Sequence, residues 1–218
     1  MKVLAIFSGG MDSATAIAKT IKEGHEVSTV SFDYGSKHND REWEYAQKFC
    51  QHYKIGNDRI PLDFIRDYFE SDLLKSGGDI PDGHYADPSM KRTVVPFRNG
   101  IMLAIACGLA ESWGYDSVLI GNHFGDHAVY PDCRQGFIIP MARAMDRGTY
   151  SNISLLSPFE NITKTDIAEL GSQLGVPYEL TYSCYKGGVD HCGTCGTCVE
   201  RKEAFRDSGV PDPTRYEA

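Results

Sequence analysis

Short apolar runs alternate with longer amphipathic stretches through the first half of the chain. Residues 2–7, 26–32 and 58–62 read as β-strands, and residues 14–23, 38–53 and 64–74 as the helices that follow them. Such alternation implies a parallel sheet with helices packed on its faces. In the second helix Trp43, Ala46, Phe49, Cys50 and Tyr53 recur at three- and four-residue intervals, so one apolar stripe faces the sheet and Cys50 belongs to the core. Residues 75–91 support neither period, because Gly77, Gly78, Pro81, Gly83 and Pro88 interrupt them. A loop of that length in a compact domain reads as a lid or binding segment. Beyond it, residues 100–113 form an apolar helix with Cys107 as packing, and 117–121 a buried strand. Residues 135–147 and 163–174 add two helices, the second opened by Thr163 with Asp166 three residues on, in the manner of a capping box. From residue 175 onward Gly and Cys replace this pattern. The expectation is a single α/β domain over residues 1–218, a twisted parallel sheet with flanking helices, in which residues 178–218 form a small metal-binding appendix.

With 218 residues, 41% of them apolar, the chain can bury a full core. Its N-terminal apolar run, residues 3–7, is too short to cross a bilayer or to serve as a secretory core. A formal charge of −8, with no block among the 22 Lys and Arg, argues against stable nucleic-acid binding. One locally positive pocket for a small anion remains compatible with that charge. Small-molecule partners, no membrane and a cytoplasmic setting are therefore expected.

Two constellations carry chemistry. Ser8-Gly9-Gly10-Met11-Asp12-Ser13 joins the first strand to the first helix, where a parallel sheet presents free backbone N–H groups and a helix dipole to an anion. Residues Phe7 to Ala14 (Phe7, Ser8, Gly9, Gly10, Met11, Asp12, Ser13, Ala14) are the expected nucleotide cradle. The two glycines let the main chain curl around phosphate oxygens, and the serine hydroxyls can donate to them. Asp12 either holds a Mg²⁺ bridging it to the polyphosphate or caps the helix. No Lys precedes a terminal Ser or Thr, which argues against γ-phosphate transfer of the Walker type. The second constellation is Cys184, Cys192, Cys195 and Cys198, set among Gly187, Gly188, Gly193 and Gly196. The chain's seven cysteines are an odd number and four of them crowd here, which speaks for a metal site over a disulfide framework. Four thiolates with no open position suit a structural Zn²⁺, and an iron–sulfur cluster uses the same ligands.

The first string is similar to the SGGxDS signature of PP-loop ATP pyrophosphatases. Three further strings narrow the likeness. Ile80 to Tyr85 with Ser89-Met90-Lys91 and Thr93-Val94-Val95-Pro96-Phe97-Arg98-Asn99 resembles the lid and VPxRN region of 7-cyano-7-deazaguanine synthases. Tyr130-Pro131-Asp132-Cys133-Arg134 resembles their YPDCR string, and Asp33 to His38 their second-strand ending. Phe97 and the stretch Phe124 to Val129 depart from the common pattern. The resemblance implies attack at the α-phosphorus of ATP, release of pyrophosphate, and conversion of 7-carboxy-7-deazaguanine and ammonia to the nitrile by way of an amide. The alternatives are an enzyme that stops at the amide or one that adenylates a base in tRNA. The resemblance also implies a homodimer. Asp12, Arg98 and Lys164 are the expected catalytic residues. For the substrate, Asp132 or Asp126 could accept from a guanine-like edge, Tyr130 or Phe97 could stack on the base, and Arg98 or Lys91 could neutralise a carboxylate or phosphate. His38, His123 and His127 could move protons, with no role assigned to any of them.

Overall fold

The computed structural model describes residues 1–84 and 87–217; the side chains of residues 127 and 128 are outside the description, as are Tyr85 of the lid string and Ala218. Five parallel strands form one sheet in the order β3-β2-β1-β4-β5, with β1 at Lys2–Ile6, β2 at Glu26–Asp33, β3 at Asn57–Pro61, β4 at Ser117–Leu119 and β5 at Ser154–Leu156. In β1, Val3 and Ala5 enter one core, joined by Phe7 just past the strand, and Leu4 enters the other, so the strand is apolar on both sides, as a sheet covered by helices requires. One face is covered by α1 (Met11–Lys22), α2 (Asn39–Tyr53), α6 (Lys164–Leu174) and α7 (Gly196–Ser208). The other carries α3 (Asp63–Tyr68), α4 (Arg98–Trp113) and α5 (Gln135–Gly148). Cys50 and Cys107 are buried packing, as their helix periods imply.

The departures from the sequence reading have local causes. The helix expected over residues 64–74 stops at Tyr68, because the carbonyls of Asp72, Leu74 and Gly78 turn to the Lys37 ammonium at 2.7, 2.5 and 3.0 Å. Within the segment 75–91 a 3₁₀ turn forms over Pro88–Thr93, capped by Asp87. Earlier in the segment, Asp82 bonds Lys186 and Thr194, each at 2.6 Å, and Gly83 N–H donates to the Thr194 carbonyl. The C-terminal stretch contains α7, which the Gly/Cys composition conceals. It is also built into the core, since Tyr182, Cys184, Cys195 and Cys198 share one apolar cluster with Leu4, Val30 and Val118.

Candidate active site

Strand order reverses between β1 and β4, and an open cleft of this kind at the carboxyl ends of parallel strands is where α/β sheets bind ligands. Gly9 takes φ +79°, and a Cβ there would lie 2.5 Å from the Glu42 carbonyl oxygen; the loop and α2 close on each other because position 9 has no side chain. Gly121, just past β4, does the same for α1: a Cβ there would meet Ser13 Cα at 2.8 Å. Helix α1 starts after Gly10 with no side-chain cap, which leaves its first-turn N–H groups and positive dipole end for an anion. Ser8 Oγ and Ser13 Oγ lie 3.1 Å apart beside them.

The cavity here spans about 1240 Å³ when the open solvent at its mouth is counted, and it runs from the β1–α1 turn to the rings of Tyr34, Tyr130 and Tyr185. Of the expected cradle, Phe7, Ser8, Gly10, Met11, Asp12 and Ser13 line it. The Phe7 ring packs on Phe49 at 5.0 Å, and Met11 and Ala14 side chains are buried in the core, so these positions offer backbone alone.

Beside the cradle lies a charged cluster. Lys164 Nζ is 3.1 Å from Asp12 Oδ2 and 2.7 Å from Glu200 Oε2. Burial by itself would lower the Lys164 ammonium, but the charges of Asp12 and Glu200 reverse that and hold it above the usual lysine range. Burial raises the Glu200 carboxyl against the pull of Lys164. His123, 1% exposed, accepts from Gly125 N–H through Nδ1 at 3.0 Å, which leaves its proton on Nε2, 3.6 to 3.9 Å from Asp126, Glu200 and Asp12. Asp12 Oδ1 is buried with no hydrogen-bond partner. An orphaned carboxylate oxygen beside an anion cradle fits a divalent cation such as Mg²⁺, and Asp12 is the residue that would hold it.

The far half of the cavity is aromatic. Arg98 donates to Tyr34 Oη at 3.0 Å and lies over the rings of Tyr34 and Tyr130, at 5.4 and 5.9 Å. Tyr130 Oη and Tyr185 Oη are 3.1 Å apart, and Tyr185 stacks on His38 at 5.1 Å. Glu42 reaches the same chamber, 3.5 Å from His38 Nε2.

Arg98, Asp126, Tyr130 and Lys164 therefore line the cavity with Asp12, whereas three expected substrate residues do not. Lys91 is exposed elsewhere. Phe97 is 59% exposed, held in the left-handed region at φ +53° with its ring edge-on to Phe137. Asp132 accepts from the Asn99 N–H at 2.8 Å and from the Asn99 side chain, which ties it to the first turn of α4 next to Arg98. Glu42 and Glu200 carry no signal in the sequence, where an acid in a helix has the look of an exposed residue, and nothing there gives His38 or His123 a role.

The four cysteine Sγ atoms lie within 4.8 Å of one another, with Cys192 and Cys198 at 3.9 Å. A tetrahedral Zn²⁺ with bonds of ~2.3 Å sets its sulfurs roughly 3.8 Å apart, so the donors fit. His191 instead accepts from Ser183 N–H at 2.9 Å and stays out of the set.

A family described as "Queuosine biosynthesis protein QueC" matches residues 2–209. The chain belongs to this family. Among relatives in it, a 7-cyano-7-deazaguanine synthase of Porphyromonas gingivalis is 58% identical, covering 98% of this chain and 96% of its own length. That of Desulfotalea psychrophila is 50% identical over 98% and 97%. The fold is shared more widely: an NMN synthetase from Francisella tularensis superposes with a TM-score of 0.51 at 14% identity, over 96% of this chain and 77% of that one. QueC membership sets the charged cluster and the aromatic chamber in one family context, and the relatives' shared name is that of a nitrile-forming enzyme.

Proposed function

We propose that this chain converts 7-carboxy-7-deazaguanine and ammonia to 7-cyano-7-deazaguanine, at the cost of two ATP. The observation that carries the reading is a single cavity with an uncapped helix end and Asp12–Lys164 at one side and an arginine among aromatic rings at the other. The α1 amides hold the polyphosphate, and Lys164 stabilises charge developing on the α-phosphoryl oxygens. Mg²⁺ held by Asp12 would neutralise the pyrophosphate. Arg98 neutralises and orients the substrate carboxylate. One carboxylate oxygen attacks the α-phosphorus and pyrophosphate leaves; ammonia then displaces AMP to give the amide. The amide oxygen repeats the attack on a second ATP, and loss of AMP and protons leaves the nitrile. Both substrate oxygens depart on AMP, which solves the problem of a poor leaving group.

A resident Zn²⁺ on the four cysteines is read as structural, and reduced thiolates fit a cytoplasmic setting. A homodimer is part of the same reading. Incubation of the purified protein with ATP, ammonium and 7-carboxy-7-deazaguanine should yield the nitrile, AMP and pyrophosphate by mass spectrometry. Accumulation of the amide alone would replace this reading with an amide synthase.

A further inference from the structure

Glu42 is a carboxylate inside the cavity that the nucleotide chemistry leaves without a task. It stands on the first turn of α2, and its one ion-pair contact among the described residues is His38 Nε2 at 3.5 Å. The other cavity carboxylates are engaged: Asp12 with Lys164, and Asp126 with the His123 N–H at 3.1 Å. Burial pushes the Glu42 carboxyl up to about 8, against the lowering pull of Arg98. Burial and the Arg98 charge push His38 down to about 3, so its ring is neutral and leaves the Glu42 charge unbalanced at 3.5 Å. A carboxylate so placed is costly to ionise until something donates to it.

The surroundings specify the donor. Tyr34, Tyr130, Tyr185 and His38 wall the chamber with rings, as a flat ligand needs. Arg98 lies close enough to influence Glu42 electrostatically, so a fixed cation and a carboxylate address the same space. A cation beside an acceptor complements an edge that reads acceptor, donor, donor: a ring carbonyl, the adjacent ring N–H and an exocyclic amine. The carbonyl and the 7-substituent of a deazaguanine project to the same side, so one guanidinium can serve both.

We infer that Glu42 is the recognition residue for the 2-amino-pyrimidinone edge of the deazapurine, its carboxylate accepting from the ring N–H and the 2-amino group while Arg98 donates to the neighbouring carbonyl and the 7-carboxylate. This rests on the nitrile-synthase reading and assigns that site its base specificity. His38 is a positioning residue, held by its stack on Tyr185 with Nε2 3.5 Å from a Glu42 oxygen.

The test compares wild type with Glu42→Gln in turnover and calorimetry, using 7-carboxy-7-deazaguanine and its analogue lacking the 2-amino group. Loss of charged hydrogen bonds should raise KM and Kd for the full substrate about 10- to 100-fold. KM for ATP and the melting temperature should not worsen, and the variant should discriminate less between the two bases. Wild type itself, independent of any variant, should bind the 2-amino-free analogue more weakly. A wild type that makes no nitrile overturns the nitrile reading. A wild type that makes it, with Glu42→Gln unchanged in KM and in discrimination, or with the analogue bound as tightly as the substrate, overturns the Glu42 assignment alone.

Discussion

Asp12 and Glu42 are both acidic and both face one cavity, yet their surroundings give them opposite consequences. Asp12 is paired with Lys164, and its second oxygen lacks a partner. Asp12→Asn keeps the shape and removes the charge that would hold a cation. Turnover to AMP should fall by about two to three orders of magnitude, the usual effect of losing one electrostatic contact to a developing charge. The melting temperature should stay close to wild type, because Lys164 keeps Glu200; wild-type rates would count against the metal-holding role. Glu42 carries a pH signature. Unfolded, it ionises near the ordinary value of 4.5; folded, near 8. Between those values the folded chain retains a proton that the unfolded chain has released, so raising the pH draws the equilibrium toward unfolding. Its stabilising effect is present below the unfolded value and lost as pH climbs through about 8. Glu42→Gln should flatten this part of the profile in urea titrations of the ligand-free protein between pH 5 and 9. An unchanged slope would refute the buried state. The glycines and serines of the cradle were legible because their letters announce a turn. Glu42 and Glu200 were not, since an acid in a helix looks solvated until tertiary packing covers it.

The cradle works as a turn between β1 and α1, and its shape depends on Gly9. Alanine there would need a left-handed backbone at φ +79° and would bring its Cβ to 2.5 Å from the Glu42 carbonyl oxygen. The left-handed strain alone costs about 1–3 kcal/mol. Gly9→Ala should therefore lower the urea midpoint and weaken ATP binding together, measured by denaturation and calorimetry; native values for both would show that the turn tolerates a side chain. The β/α alternation that places this turn could be read from the periods of residues 2–62 because β1, β2, α1 and α2 each bury an apolar set, while β3 only packs Ile60 against the core. Two elements escaped and one was read too long, for physical reasons. β5 is three residues, too short to show a period. α3 is cut short by the carbonyls gathered on Lys37. α7 buries Cys198, Arg201, Ala204 and Phe205 at helical spacing, but Arg201 breaks the apolar pattern. That guanidinium is fully buried because Thr181, Ser183, the Tyr178 carbonyl and Asp212 satisfy it, an arrangement that depends on distant segments.

The sequence points to a metal-bound appendage after residue 177, but its contacts tie it to the β1–α1 turn and the cavity. Tyr182 N–H donates to the Gly9 carbonyl at 2.8 Å, within the turn between β1 and α1. Tyr185, next to Cys184, forms a wall of the aromatic chamber, and Asp82 pins the preceding loop to Thr194 between Cys192 and Cys195. Glu200, which holds Lys164, stands two residues after Cys198 on α7. Four thiolates brought together without a cation repel one another, so losing the metal should loosen every one of these links at once. Metal chelation or Cys195→Ser should lower the melting temperature and abolish ATP binding in one step. Trp43, which lines the cavity, supplies a fluorescence probe of the site, and far-UV circular dichroism reports the sheet and helices. Coincident midpoints from the two signals would mark a single cooperative unit. A chelated protein that keeps its nucleotide affinity and melts in two separated transitions would show that the cysteine segment folds apart from the sheet, and that cradle and chamber stand without it.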